Sequence, residues 1–284
     1  MTSTTPEFMC FLFDRLIKPI LMYGSEVWGF HEATAVERVH LQYCKQFLKL
    51  RKSTCNYFVY GELGRTPLLI ERKCKIIKYW LSIVMYKQST IMGRVYLNSV
   101  DLGTGWTAMV QNLLETLGFA EVWLNQGVEN INIFMKICKL RLRDQFTQEW
   151  QSSINNSPEA ILYRHLKREL CVSDYFTRIN VHKYRVAFCQ FICRNHRLAV
   201  VTGKWHKPTA TPYSERVCQT CEVVEDEFHF ILECPKHRQL RTIYIKKYYY
   251  SRPNMAKLLE LFSCQNTKII RNLSVYIQKA TLSL

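Results

Sequence analysis

No two aspartates are adjacent in this sequence: Asp14, Asp101, Asp144, Asp174 and Asp226 stand far apart along the chain. A pair of divalent metals for phosphoryl transfer or metal-assisted strand cleavage needs clustered carboxylates, so no such centre is expected and the chain reads as a non-enzyme. Acidic residues are sparse overall, 23 Asp and Glu against 39 Lys and Arg. The resulting formal charge of +16 favours polyanionic partners such as nucleic acid. Long apolar runs are also missing, and none approaches the roughly 18 residues that a membrane-spanning helix needs. The opening MTSTTPEF lacks the basic segment of a secretory signal. The chain is therefore expected to be soluble and intracellular, in the cytoplasm or nucleus, with no membrane partner. No internal repeat and no low-complexity tract interrupts it.

What is present is a core and a motif. Hydrophobic residues make up 48% of the chain and aromatics 13%, ample for a folded interior. In a reducing compartment the twelve cysteines are not disulfide partners. Cys10, Cys44, Cys74, Cys138 and Cys189 sit mostly among apolar neighbours and read as small core residues. The exception is RVCQTCEVVEDEFHFILECPKHRQLR, where Cys218, Cys221, His229 and Cys234 fall within seventeen consecutive positions. Two cysteines separated by two residues can turn both sulfurs toward one ion, and a histidine and cysteine about one helical turn apart can close a tetrahedron from the other side. This spacing predicts one structural Zn2+ per chain, with His237 as an alternative fourth ligand. Four protein ligands leave no open position for a catalytic water. The acids between them, Glu222, Glu225, Asp226 and Glu227, read as a solvated loop.

Helical periodicity dominates elsewhere, so the fold class is expected to be mainly α, a bundle-like array of helices with a small zinc-knuckle module near the C-terminus. ATAVERVHLQYCKQFLKLRK, from Ala33, carries Val36, Val39, Tyr43, Phe47 and Leu48 on one face. STCNYFVYGELGRTPLL has two glycines and a proline and reads as a connecting loop, after which Pro67 opens a new helix. That helix lines up Arg72, Lys75 and Lys78 on a basic stripe, with Leu69, Ile76, Ile77, Trp80 and Val84 turned inward. Further helices are predicted over 106–117, 131–150, 158–170 with Ser157 as cap, and 181–198. The polar stretch GKWHKPTATPYSER is the best linker. A last basic helix begins at Pro235 and mixes Arg238, Arg241, Lys246 and Lys247 with Tyr244 and Tyr248, cations for phosphates and rings for unpaired bases. The expected divisions are a helical segment 1–97, a helical connector 98–202, the linker and knuckle 203–241, and C-terminal helices 242–284.

Four segments carry a wider likeness: LFDRLIKPILMYGSEVWGF, RKSTCNYFVYGELGRTPL, LRLRDQFTQEWQSSINNS, and HRLAVVTGKWHKPTATPYSERVCQTCEVVEDEFHFILECPKHRQLR. Through them nearly the whole chain resembles the C-terminal region, after the polymerase palm, of the reverse transcriptase of LINE-like non-LTR retrotransposons. In that family the first segment comes just after the palm and the last is the zinc-binding region, so the resemblance implies Cys218, Cys221, His229 and Cys234 as ligands. The palm's Tyr-x-Asp-Asp pair, the fingers and the endonuclease have no counterpart here. The resemblance thus implies a non-catalytic fragment that binds RNA or DNA with little sequence preference, with the missing polymerase portion as a further partner.

Overall fold

The computed structural model describes residues 5–86, 90–206 and 208–282. As the periodicity predicts, the fold is mainly helical. Among the described residues no strand forms, and extended pairing is limited to the isolated bridges Leu63 to Val172 and Val217 to Val224. The chain divides into two compact units that interleave along the sequence: Phe11–Gln42 with Thr66–Trp150, and Met1–Cys10 with Tyr43–Arg65 and Gln151–Leu284. The linear divisions at 97, 202 and 241 do not coincide with these units, because packing follows apolar helix faces and not chain order.

The first of these units is organised by the helix Leu68–Met85. Ile76, Ile77 and Trp80 on its inward face are completely buried, joined by Val110 and Leu114 from Gly105–Thr116 and by Phe134, Cys138 and Leu142 from Ile131–Asn156. The Trp80 indole stacks on Trp123 with centroids 5.6 Å apart and donates its N–H to the Tyr96 hydroxyl at 3.0 Å, so the ring is buried without an orphaned donor. Cys138 and, in the other unit, Cys44 and Cys189 are buried as core residues, whereas Cys10 and Cys74 are only partly covered.

In the second unit, Asn56–Leu63 is helical where the glycines and proline predict a loop. Phe58 through Leu63 are all buried, and a helix enclosed on every side shows no amphipathic period to read. Gly64 ends it in the left-handed region at φ 59°, and a Cβ there would lie 2.7 Å from the backbone of Cys171 and Val172. Other boundaries shift as well. The helix predicted to stop at 150 continues to Asn156, that predicted over 158–170 is helical only over Ile161–Leu166, and that over 181–198 only over His182–Ile192. Ser157 does accept from the Glu159 N–H at 3.2 Å, capping a local turn before the shorter helix. The stretch read as a linker contains two short turns, Gly203–Trp205 and Tyr213–Glu215.

Glu62, on the enclosed helix, is a buried carboxyl that accepts from the hydroxyls of Tyr163 at 2.9 Å and Tyr175 at 2.6 Å. Burial pushes its pKa above the usual carboxylate range, only partly offset by Lys167 and the two phenols. The neutral acid is thus favoured in the folded state, and the sign follows: stability contributed by this group is highest below about pH 4.3, the unfolded value, and falls as pH rises toward the folded value. Glu62→Gln is expected to remove this slope. Thermal melts of both proteins between acid and neutral pH check it, the expected result being a melting-temperature difference that moves in favour of the variant as pH rises.

Candidate metal centre

The segment that carries the cysteines is short and held by backbone turns. Cys218 N donates to Val223 O at 2.8 Å, and Cys221 N and Glu222 N both donate to Cys218 O, at 3.2 and 2.9 Å, with Glu222 in the left-handed region at φ 58°. This tight turn presents both sulfurs on one side. A wound turn, His229–Glu233, follows, closed by Cys234 N donating to His229 O at 2.8 Å, and brings the imidazole and the third thiol to the same point.

The ligand atoms of Cys218, Cys221, His229 and Cys234 all lie within 4.8 Å of one another. Cys218 Sγ and Cys221 Sγ are each 3.9 Å from Cys234 Sγ. Four ligands around one ion at metal–sulfur distances of about 2.3 Å place sulfurs about 3.8 Å apart, so the observed separations match a tetrahedral edge. Both ring nitrogens of His229 are buried without a hydrogen-bond partner, a cost that a bound cation would remove. Its Nδ1 lies 3.5 Å from Glu233 Oε2, the kind of carboxylate that orients a ligating imidazole. Without a cation the thiols compete. Burial pushes Cys218 up, but the backbone of Thr220 and the His229 ring outweigh it and bring it down to about 7. Burial and the neighbouring sulfurs of Cys218 and Cys234 push Cys221 up to about 12. The four residues are therefore arranged so that they could hold a metal ion.

His237, the alternative ligand, is outside this group. It is buried against Phe230, edge to face at 4.8 Å, and burial, with Lys236 and Arg241 nearby, lowers its pKa to about 4. The acidic stretch is not a solvated loop, apart from the exposed Glu222. Glu225 accepts from Ala199 N at 2.6 Å, Asp226 caps His229 N at 2.8 Å, and Glu227 is 3.1 Å from both His196 Nε2 and the Arg194 guanidinium. Glu225 and Glu227 tie the cysteine-bearing segment to 194–199. Sequence reasoning missed the tie because its partners lie about thirty positions upstream.

The expected nucleic-acid contacts separate into three groups. Lys75, Lys78, Arg238, Lys246, Lys247 and Tyr248 are exposed, although Lys75 Nζ also donates to Met22 O at 2.9 Å. Tyr244 is half-buried, and its hydroxyl takes a hydrogen bond from Lys279 Nζ at 2.8 Å. Tyr248 donates to Glu260 Oε2 at 3.0 Å, with Lys257 Nζ 4.9 Å from its ring. Arg72 and Arg241 are interior and do not face phosphates, which corrects the sequence expectation for both. Arg72 lies 5.5 Å from the Trp28 ring and donates to His31 O at 3.4 Å. Arg241 turns inward and donates to three carbonyls around the cysteine-bearing segment: Ile231 O at 2.8 Å, Cys234 O at 2.7 Å, which also accepts from His237 N at 3.2 Å, and Glu233 O at 3.4 Å. The basic stretch is not one helix either. It breaks at Ile245, a buried residue with extended backbone between Arg238–Tyr244 and Lys247–Tyr250. Among the described residues no helix is long and apolar enough to cross a membrane. No protein-family model, no curated protein and no solved structure matches the chain.

Proposed function

We propose that this chain is a non-catalytic nucleic-acid-binding module, stapled by one structural zinc ion, of the kind found after the palm in LINE-like reverse transcriptases. The observation that carries the reading is the convergence of three thiols and one unpartnered imidazole at tetrahedral spacing, in a chain with an excess of exposed cations. Zinc is the metal this donor set suits, because three soft sulfurs and one nitrogen with no open position describe its structural sites. The ion supplies folding energy and no chemistry on a substrate. Cys218, Cys221, His229 and Cys234 hold it, and Arg238, Lys246 and Lys247 lie exposed just beyond.

The test is a salt series of binding to single-stranded RNA and to DNA. The chain is expected to bind both with little sequence preference, and the log of affinity should fall steeply against the log of salt. Replacing Arg238, Lys246 and Lys247 by alanine should reduce that slope by roughly two to three, at about 0.7 to 0.9 for each phosphate no longer neutralised. A second reading, a zinc-stapled scaffold for protein partners, is favoured by exposed Leu16, Ile20, Tyr23 and Val27 near one another in sequence. Absence of any binding at low salt would decide for it.

A further inference from the structure

Between Lys49, Arg51 and Arg197 lies a cavity of about 550 Å³ with Gln190 and Asn195 in its wall and no carboxylate among its lining residues. All three cations are exposed. Elsewhere in the same unit Arg178, Arg194 and Lys204 are paired with Asp174, Glu227 and Glu159, but among the described residues none of the three lining cations has an acidic partner. Lys49 follows the helix Thr34–Leu48 in the left-handed region at φ 56°, a conformation in which glycine would be free of strain. That turn is fixed from across the cavity, because Lys49 O accepts from Gln190 Nε2 at 2.7 Å and Asn195 Nδ2 at 3.5 Å. Cations are also attracted to helix C-termini, and two helices end here. The carbonyl of Lys49 already has its amide donors, and among the described residues its ammonium makes no hydrogen bond or ion pair. Arg197 lines a second cavity as well, of about 340 Å³, which reaches Cys218, Cys234 and Lys236. The cationic cleft is thus next to the metal-binding segment.

We propose that this cleft is a phosphate site that seats the backbone of a single nucleic-acid strand beside the metal-binding segment. Its volume falls within the range of about 300 to 1,000 Å³ usual for ligand sites, and its three cations, of which Arg51 also donates to His196 O at 3.5 Å, are the donors a phosphodiester needs. The inference rests on the nucleic-acid-binding reading above and adds the place.

The test uses the full chain, loaded with zinc, and a fluorescently labelled single-stranded RNA of mixed sequence over a salt series. The variant Lys49→Gln, Arg51→Gln, Arg197→Gln is compared with Lys136→Gln, Lys139→Gln, Arg143→Gln, three exposed cations of the helix Ile131–Asn156. The cleft variant is expected to lower the salt slope by roughly two to three, and the control to leave it unchanged. Lys49→Gly guards against misfolding, since glycine suits the left-handed turn: it should melt no lower than wild type and still lower the slope by about 0.7. Inorganic phosphate and a nucleoside monophosphate, at equal phosphate concentration, should displace the RNA poorly. If wild type binds but the cleft variant keeps its slope, the cleft is not the site and the nucleic-acid reading stands. An equal loss in the control variant means that charge alone binds, and this too overturns the cleft. Displacement by the monophosphate as strong as by unlabelled RNA would make it a nucleotide site and not a strand site. If wild type binds no RNA at low salt, both readings fall together.

Discussion

Protein purified without added metal is expected to carry one zinc per chain, and changing Cys218 and Cys221 together to serine is expected to abolish it. The size of this effect comes from what the ion replaces. The cysteine-bearing segment has almost no core of its own: between Arg216 and Glu227 only Cys218 is buried, and the bridge from Val217 to Val224 is its single extended pairing. Structural zinc contributes about 10 to 16 kcal/mol of apparent binding free energy in small modules, more than such a turn could obtain from burial. Loss of the ion would leave three thiols crowded around a buried imidazole without donors. The loosening should be local. Phe230 is held from below by Phe191 at 5.6 Å and by the Tyr276 hydroxyl, which donates to its carbonyl at 2.8 Å. Hydrogen exchange on the chelated protein should therefore show the amides of 216–227 opening first, with the Thr267–Thr281 helix protected. A different metal in the purified protein, or zinc retained by the double serine variant, would overturn the assignment.

The clustering of Cys218, Cys221, His229 and Cys234 was legible because its signal is local: four candidate ligands within seventeen positions are visible without knowing the fold. The helix Leu68–Met85 was legible for a related reason, since one face is polar and the other buried, and Ile76, Ile77 and Trp80 fall at helical spacing. Asn56–Leu63 shows where that signal ends. A helix buried all round has no period, and its glycines read as breaks although Gly64 is in fact its stop. Charge misleads in a different way. Arg72 and Lys75 look equivalent in a basic stripe, but three residues are most of a helical turn and not a whole one, so the stripe drifts. Arg72 ends at the edge of the buried face against Trp28, while Lys75 and Lys78 remain outside. Glu225 and Glu227 were misread because an acidic run carries no mark of partners about thirty residues away, here Ala199, Arg194 and His196.

Arg241 is the sharpest of these cases, and it separates two accounts of the basic C-terminal stretch. As a phosphate contact it would be exposed, and its loss would weaken binding at no cost in stability. As the structure has it, the guanidinium fork spans Ile231 O and Cys234 O, on either side of the last ligand turn. Arg241→Ala removes this donor from three carbonyls, of which Cys234 O keeps the His237 N–H at 3.2 Å, at about 1 to 3 kcal/mol for each buried acceptor left without a partner. A loss of about 3 kcal/mol or more is expected, which for a chain in this size class lowers the melting temperature by roughly 6 to 12 °C. Zinc should also dissociate faster, since Cys234 loses the group that fixes its backbone. Arg241→Lys should recover less than half of the loss, because one ammonium cannot span carbonyls that a planar fork bridges. Arg238, three positions earlier and exposed, gives the contrast. Arg238→Ala should stay within about 0.5 kcal/mol of wild type in stability. Its slope of RNA affinity against salt should instead fall by about 0.7 to 0.9, the share of one phosphate. Thermal melts with zinc present, zinc release to a chromogenic chelator, and RNA titrations below the melting transition measure all three quantities on the same proteins. If Arg241→Ala melts with wild type and alters only the salt slope, the side chain faces phosphates and the clamp on the ligand turn is wrong.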